Sequence, residues 1–139
     1  MNQKIQNTDF IELTKEAFEH NQTVSFKVKG VSMWPFYKDQ KTTVTLQKKD
    51  QYRLRDVVLA SYKDRYVLHR IIKLKGNNYI LRGDGAYAKE VITKVNIIGA
   101  VITHEYKREI KESNKLYRFK VILWIFNPFR KIIIRLFRR

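Results

Sequence analysis

Residues 56–73 read DVVLASYKDRYVLHRIIK, and this stretch decides the fold class. Two runs rich in β-branched and aromatic residues, 56–62 and 66–73, favour extended strands. They are joined by a short polar connection that contains the turn-forming pair Lys63-Asp64. So short a connection predicts that the two strands pair as an antiparallel hairpin.

Other short segments extend this β pattern on both sides of the hairpin. Val24, Phe26 and Val28 alternate with polar residues, which is typical of a half-buried strand. Three more strands are predicted at 42–47, 78–82 and 96–103, with glycine-containing turns between them. Several short strands at close spacing predict a mainly β protein, built as a partly open β-barrel or a sandwich.

Helical spacing occurs before the strands. Residues 8–20 are predicted to form one helix, with Asp9 and Glu12 in its first turn, where a helix favours negative charge. The residues expected on its apolar side are Phe10, Leu13 and Ala17, with Ile11 and Phe18 beside them.

The last part of the chain is expected to form two basic helices. One covers 116–126, and Asn127 caps a second helix that begins at Pro128. In the second helix, three cations are expected to lie opposite three apolar residues: Lys131, Arg135 and Arg138 opposite Ile132, Ile133 and Leu136. The chain is therefore expected to divide into an N-terminal helix (1–22), a β domain (23–112) and a basic amphipathic helical tail (113–139).

Charge is the strongest signal in the composition. The 139 residues carry a formal net charge of +16, and the segment 113–139 contains eight basic residues and no acidic one. Such a balance indicates an anionic partner, either a membrane surface or a nucleic acid. The longest uncharged stretch of the tail, 121–129, has nine residues, which is too short to span a bilayer.

Several kinds of chemistry are excluded by the composition. Cysteine is absent, which excludes disulfides, thiolate metal sites and a cysteine nucleophile. The three histidines, His20, His69 and His104, are scattered along the chain, without metal-ligand spacing. We therefore expect neither a metal ion nor a cofactor.

The sequence GVSMWP, which begins at Gly30, could carry a nucleophile. Gly30 permits a sharp bend and the close approach of a substrate. Pro35 cannot continue a strand ladder, so Ser32 is expected on an exposed turn, as a nucleophile requires. The alternative is a plain corner between strand and loop, with Met33 and Trp34 packed on the core.

Two further residues could assist such a serine. His69 lies between Val67 and Ile71 on one face of a predicted strand, and imidazole exchanges protons near neutral pH, as a general base must. Asp84, in a tight Gly-Asp-Gly turn, is expected to expose its carboxylate and to orient the imidazole. The alternatives are a half-buried histidine with satisfied hydrogen bonds and an aspartate that only forms a turn.

Four sequence boxes occur in an order that resembles a known superfamily. They are GVSMWP at 30–35, RDVVL at 55–59, VLHRI at 67–71 and LRGD at 81–84. In this order they resemble the boxes of type I signal peptidases and LexA-type self-cleaving repressors, over residues 28–102. That superfamily pairs a serine with a lysine, or with a histidine in its endoplasmic-reticulum and archaeal branch. This sequence looks like the serine/histidine branch.

The resemblance implies a role for each residue of the site. Ser32 would be the nucleophile and His69 the general base. Asp84 matches the acidic residue that supports the imidazole in that branch, and Glu90 lies near the position of a second one.

The resemblance also implies how a substrate is held. Many signal peptidases carry a serine where this chain has Gly30, so main-chain N–H groups around Ser32 would hold the oxyanion. Gly30, Met33 and Pro35 are the residues expected on the oxyanion and substrate side of the site. An extended substrate would add to a strand edge, for which residues 24–29 are the candidate.

Three functions fit these features. The first is a serine endopeptidase that cleaves a leader or signal-like segment from a peptide or protein substrate. The second is a self-cleaving regulator of the LexA type that binds DNA. Against it, too few residues precede the serine segment for a helix-turn-helix, and the Ala-Gly bond cleaved in that group is absent. The third is a catalytically inactive module that binds a membrane or a nucleic acid.

Two roles are open for the basic tail. It would lie on an anionic membrane, with Trp124, Arg130, Lys131 and Arg135 in contact with lipid, or it would dock on the β domain with its arginines in solvent. Without a spanning segment or an export signal, we expect a cytoplasmic location, peripheral at the inner membrane face. Nucleic acid is not an expected partner.

Overall fold

The computed structural model describes residues 3–138, with side chains from residue 8 onward. The strands are β1 (Val24–Lys27), β2 (Thr43–Gln47), β3 (Val57–Tyr62), β4 (Arg65–Lys75), β5 (Asn78–Arg82), β6 (Lys89–Thr93), β7 (Ile97–Tyr106) and β8 (Arg108–Lys111). The helices are α1 (Gln3–Glu19), α2 (Lys115–Ile125) and α3 (Arg130–Phe137), with a 3-10 turn at Lys94–Asn96. The outer ends of the expected segments 1–22 and 113–139, at residues 1, 2 and 139, lie outside the described residues.

The strands form one antiparallel sheet with open edges. Its order is β1-β2-β7-β3-β4-β5-β6, and β8 pairs with the far end of β7. The hairpin predicted from residues 56–73 is confirmed as β3 and β4, because Tyr62 pairs with Arg65 across the turn at Lys63-Asp64. The mainly β fold class is confirmed, with all the strands in a single open sheet.

Two strands, β6 and β8, are not predicted by the sequence pattern. In β6 the buried positions are Glu90 and Ile92, whereas the apolar Val91 is exposed. The strand therefore lacks the alternation of apolar and polar residues that identifies a half-buried strand. In β8 only Ile110 is even half-buried, so this strand has almost no apolar signal.

The core lies on both faces of β3. Residues 57–60 of this strand are all buried, and they alternate between the two faces. One face packs against α1 and the segment that follows β1, with a buried cluster of Ile11, Phe18, Val28, Met33, Tyr37, Val44, Leu46, Val57, Leu59 and Val101. The other face carries the cluster of Tyr52, Val58, Ala60, Val67, Ile71, Leu81, Ile92, Ile97 and Ala100. The segment around Met33 is thus fixed to the sheet by packing.

The α1 helix is longer than expected and is rotated relative to the expected stripe. It begins at Gln3, so the predicted start near residue 8 falls inside the helix. From residue 8 onward, the buried residues of α1 are Ile11, Thr14 and Phe18, which keep a spacing of i, i+3 and i+7. Leu13, expected on the apolar side, is exposed instead.

The two tail helices are confirmed, but the expected cap of the second is wrong. Asn114 caps α2, since its Oδ1 accepts the N–H of Tyr117 at 2.9 Å. α3 begins at Arg130 rather than at Pro128. Asn127 Oδ1 accepts the N–H of Phe129 at 2.8 Å, so it stabilises the turn before the helix. Within residues 3–138, none of the helices combines the length and the apolar character that crossing a bilayer requires.

The side through which α3 docks is not the expected apolar side. The helix docks on the protein through Arg130 and Ile134, which are 5% and 1% exposed. Its outer side carries both cations and apolar residues, all of them exposed: Lys131, Arg135, Ile132 and Leu136. The cations are exposed as expected, but the expected apolar side does not dock on the protein, since Ile132 and Leu136 are exposed and only Ile133 is half-buried.

Replacement of Gly99 by alanine is expected to loosen the contact between α1 and the sheet. A Cβ at Gly99 of β7 would lie 2.7 Å from Cε2 of the buried Phe18. Overpacking of this kind costs about 1–3 kcal/mol, so Gly99→Ala is expected to lower the free energy of unfolding by that amount in urea titrations. Phe18→Leu removes the clashing atoms, so the added cost of Gly99→Ala in that background is expected to be smaller. Fully additive costs would contradict the contact.

Candidate active site

Ser32 lies on a compact turn after β1, outside the sheet. The N–H of Tyr37 donates to the carbonyl oxygen of Met33 at 3.0 Å and closes part of this turn. Gly30 enters the turn with a φ of +87°, a left-handed conformation that glycine adopts without steric cost. Met33 is buried in the core, whereas Ser32 is only half-buried. The packing of Met33 thus anchors the turn that carries the serine.

Ser32 and His69 line the same cleft, which has a volume of about 620 Å³. One wall consists of residues 26–29, at the end of β1, and the other of residues 65–69 in β4. Met33, Leu59 and two residues of α1, Phe10 and Ile11, complete the lining. The serine and the imidazole are therefore accessible to one and the same ligand.

Both walls of the cleft have strand edges without a strand partner in residues 3–138. β1 pairs with β2 on one side only. β5 pairs with β4 from Arg70 onward, so residues 65–69 pair with β3 alone. Such edges present backbone N–H and C=O groups to which an extended peptide can add as a further strand.

His69 is held by a buried carboxylate. Its Nδ1 lies 2.6 Å from Oε1 of Glu90, and the two residues are 8% and 3% exposed. Glu90 in β6 pairs with Leu81 in β5. Because β5 lies between β6 and β4, the glutamate side chain must extend across β5 to reach His69 in β4. When Nδ1–H donates to a carboxylate, the lone pair of Nε2 remains for a proton from another group.

Gly83 lies between the serine turn and the imidazole. A Cβ at this position would be 2.3 Å from the carbonyl oxygen of Ser32 and 3.1 Å from Cδ2 of His69. Within residues 3–138, neither the Ser32 hydroxyl nor Nε2 of His69 has a hydrogen-bond partner. The two groups thus share the cleft without a hydrogen bond between them.

Asp84 is placed differently from the sequence expectation. It is 3% exposed rather than presented to solvent, and it pairs with Arg70 rather than with His69. Nε and Nη2 of Arg70 each donate to one carboxylate oxygen at 2.8 Å. This two-pronged geometry suits guanidinium and carboxylate groups. Glu90, and not Asp84, is the carboxylate beside the imidazole.

The Arg70 guanidinium makes two further hydrogen bonds. It donates to the carbonyl oxygen of Arg55 at 2.9 Å and to the hydroxyl of Tyr117 in α2 at 2.8 Å. Burial alone lowers the pKa of Arg70, but the charge and hydrogen bonds of Asp84 act with the neighbouring tyrosines to raise it well above its usual value. Burial raises the pKa of Tyr117, so its hydroxyl stays protonated. The network joins β4 and the loop after β5 to the tail.

The loop after β5 packs backbone to backbone on the serine turn. The N–H of Gly85 donates to the carbonyl oxygen of Ser32 at 2.8 Å. A Cβ at Gly85 would lie 2.7 Å from the carbonyl oxygens of Val31 and Trp34. The glycines of this loop are thus required because the backbone of the serine turn comes too close to leave room for a side chain.

The tail helices hold the same loop from its other side. The guanidinium of Arg130 donates to three carbonyl oxygens in the segment 83–86, at 3.0, 2.9 and 2.6 Å. Nε1 of Trp124 donates to one of these oxygens at 2.8 Å, and Arg138 donates to a further one at 2.6 Å. α2 and α3 therefore fix the loop that contacts the serine turn.

These contacts change the set of residues that could touch a membrane. Arg130 is buried, and Trp124 packs edge-on against Trp34 with ring centroids 5.8 Å apart. Arg130 is therefore not available to lipid as the sequence expectation required, and Trp124 is only half-buried, whereas Lys131 and Arg135 are exposed. Burial lowers the pKa of Arg130 to about 10, which leaves its guanidinium charged at neutral pH.

The residues expected at the oxyanion side have different environments. The N–H of Gly30 donates to Oδ1 of Asp39 at 2.7 Å, so it is already engaged. Pro35 has no N–H to donate. In the described part of the chain, the N–H groups of Ser32 and Met33 have no acceptor, and both residues line the cleft. They are the backbone donors that remain for an oxyanion.

A second histidine–glutamate pair lies outside the cleft. Nδ1 of His104 bonds to the carboxylate of Glu112, and the imidazole packs on the rings of Tyr37 and Tyr117, with centroids 5.0 and 4.7 Å away.

Across residues 3–138, no three histidine, aspartate or glutamate side chains come together as ligands for one metal ion.

Sequence reasoning missed the residues that support the loop. His69, Arg70 and Ile71 are consecutive and all buried, so β4 is buried on both faces at this point. An arginine inside such an apolar run is a signal of a buried ion pair. No comparable signal marks Arg130, because its partners are backbone carbonyl oxygens of a segment distant in sequence.

Comparison with known protein families identifies the serine-peptidase or LexA-like class for this fold. The family model described as Peptidase S24-like matches residues 2–102, and the chain therefore belongs to the Peptidase S24-like family, in the superfamily of LexA-type proteins and signal peptidases. The matched region contains Ser32, His69 and Glu90, and it ends within β7, so α2 and α3 lie beyond it. No curated protein matches the chain.

Replacement of Asp84 by asparagine is expected to destabilise the fold strongly. The change leaves the buried Arg70 charge without its carboxylate, which costs about 3–5 kcal/mol in comparable pairs. Denaturant titration is expected to show a loss of this size. Asp64→Asn, at an exposed turn, is the matched control and should change the free energy of unfolding by less than about 0.5 kcal/mol. Equal effects of the two changes would contradict the role of the pair.

Proposed function

We propose that the protein is a serine endopeptidase in which Ser32 is the nucleophile, His69 the general base and Glu90 the residue that orients the imidazole. One observation carries the proposal: the serine and the imidazole line one cleft, and the imidazole is bonded to a buried glutamate. Membership of the Peptidase S24-like family supports the serine-peptidase kind. Because histidine stands at the base position, we assign the chain to the serine/histidine branch of the superfamily.

The proposed reaction proceeds through an acyl-enzyme. Oγ of Ser32 attacks the scissile carbonyl carbon while Nε2 of His69 accepts the hydroxyl proton. The N–H groups of Ser32 and Met33 donate to the oxyanion that forms. The C–N bond then breaks, and His69 returns the proton to the leaving amine. Water, deprotonated by His69, then attacks the ester carbon. The bond between this carbon and Oγ of Ser32 breaks, His69 returns the proton to Oγ, and the carboxylic acid product leaves.

The two buried carboxylates have separate tasks in this proposal. Glu90 accepts the Nδ1–H of His69 and stabilises the imidazolium that forms during attack. Asp84 acts at a distance as a positioning residue, since its pairing with Arg70 holds the loop against the serine turn.

The open strand edges support an extended peptide as the substrate. A peptide that adds to β1 or to residues 65–69 of β4 would pass Ser32 with its side chains alternating in direction. Phe26, Met33 and Leu68 supply apolar lining for these side chains. This lining suits the apolar part of a leader or signal-like segment, and we propose such a segment as the substrate.

Replacement of Ser32 or His69 by alanine is expected to abolish cleavage of leader-bearing peptides. Removal of either group from a serine–histidine site lowers kcat by about a thousandfold or more. Mass spectrometry of peptide digests measures the loss. Ser113→Ala and His20→Ala change exposed residues of the same types and are expected to cleave as the wild type does.

Two outcomes would change the proposal. Undiminished cleavage by Ser32→Ala would exclude this serine as the nucleophile. Cleavage of the protein's own chain, at a rate independent of protein concentration, would identify a self-cleaving regulator instead of an enzyme that acts on other chains.

Replacement of Glu90 by glutamine is expected to lower kcat by about 10²–10⁴-fold with little change in KM, because the amide cannot stabilise the imidazolium. Glu112→Gln is the matched control, since it makes the same change in the His104 pair outside the cleft. Steady-state kinetics gives kcat and KM for both variants. A loss of kcat that occurs in Glu90→Gln but not in Glu112→Gln is a loss of catalysis and not of folded protein. Comparable losses in kcat for the two variants would exclude Glu90 as the orienting residue.

A further inference from the structure

The outer sides of α2 and α3 expose an unusual amount of apolar surface. In the described part of the chain, fourteen large hydrophobic residues are exposed, and eight of them lie between residues 116 and 137. Exposed apolar residues scattered singly need no explanation, but a concentration on adjacent elements indicates an interaction surface.

In α2 the exposed residues form one stripe. Leu116, Phe119 and Leu123 follow one another at i, i+3 and i+7, and each is more than half exposed. The opposite side of the helix is the one that packs on the protein, through Tyr117 and Val121. The exposed stripe therefore takes no part in holding α2 to the sheet.

In α3 the exposed apolar residues lie beside cations. Lys131, Ile132 and Arg135 line a shallow pocket of about 410 Å³ together with Tyr87. Leu136 continues the exposed side one turn beyond Ile132. Because residues 113–139 include no acidic residue, this pocket and the helix around it favour an anionic group such as a lipid phosphate.

We propose that these outer sides form a docking surface for the anionic face of a lipid bilayer. The docking surface consists of the exposed stripe of α2 and of Lys131, Ile132, Arg135 and Leu136 of α3. Its apolar residues enter the boundary between headgroups and acyl chains, and its cations bind headgroup phosphates. The helices lie in the plane of the membrane.

The charges and the apolar residues together favour this partner over two others. A second copy of the chain would bring a formal charge of +16 against +16, which opposes self-association. A nucleic acid would use the cations but would leave the exposed stripe of α2 without a role. An anionic bilayer uses both kinds of residue.

The docking surface is rigidly connected to the cleft. The inner sides of α2 and α3 donate to the carbonyl oxygens of the segment 83–86, and this segment packs on the turn of Ser32. Docking would therefore hold the cleft close to the bilayer, where a leader or signal-like segment would lie. The docking itself does not depend on the proposed peptidase activity.

Flotation of the full chain with lipid vesicles tests the proposal. We expect the wild type to float with vesicles of phosphatidylcholine and phosphatidylglycerol and to remain at the bottom with phosphatidylcholine alone. Two double variants, Leu123→Ser with Leu136→Ser and Lys131→Gln with Arg135→Gln, are each expected to weaken binding to the anionic vesicles on the order of tenfold. All four side chains are exposed, so the fold is expected to remain intact.

Matched controls use residues of the sheet. Leu74→Ser with Val91→Ser removes two exposed apolar side chains, and Lys73→Gln with Lys75→Gln removes two exposed cations. Both controls are expected to bind as the wild type does. Equal losses in the controls, or wild-type binding by the Leu123 and Leu136 variant, would overturn the proposal, the latter in favour of a purely electrostatic partner such as a nucleic acid.

A further measurement separates the bilayer from a second copy of the chain. Sedimentation of the protein without lipid is expected to show a monomer. A concentration-dependent dimer that the Leu123 and Leu136 variant abolishes would assign the surface to self-association and overturn the proposal. Peptide cleavage in the absence of lipid is measured on the same variants and is expected to be unchanged, so failure of docking is distinguishable from failure of the proposed peptidase function.

Discussion

The buried ion pair between Arg70 and Asp84 is the constraint on which the rest of the site depends. Removing two charges from water is costly, and a buried pair persists only with good geometry and further hydrogen bonds. Here the geometry is two-pronged, and the guanidinium has two more acceptors. Since His69 precedes Arg70 in β4 and Gly83 precedes Asp84 in the loop, the pair aligns the strand of the imidazole with the segment that touches the Ser32 turn.

The chain uses one histidine–glutamate arrangement twice, in different surroundings. His69 and Glu90 border the cleft, whereas His104 is enclosed by tyrosine rings and bonded to Glu112. The bond between the side chains is thus not in itself a sign of catalysis. Access to the cleft beside a serine is what distinguishes the first pair. At the second position the same kind of bond satisfies a buried imidazole.

Most of the fold, but only part of the site, can be predicted from the sequence. The alternation in residues 56–73 predicts the hairpin, and the order of the sequence boxes predicts that Ser32 and His69 belong together. Which carboxylate lies beside the imidazole depends on the register of β4, β5 and β6, and β6 has no recognisable alternation because it buries Glu90 and exposes Val91. The polar contacts of Arg130 determine which side of α3 packs on the protein. The positions of the apolar residues in that helix therefore do not predict the buried side.

The hydrogen bonds from the tail to the loop at 83–86 have a consequence for the order in which parts of the protein reach their final structure. All the strands and both walls of the cleft precede these helices in the chain. During synthesis on the ribosome, a nascent chain that has emerged as far as β8 has every strand but lacks the donors of Trp124, Arg130 and Arg138. The loop beside the serine therefore acquires its final support only when the last helix has left the exit tunnel.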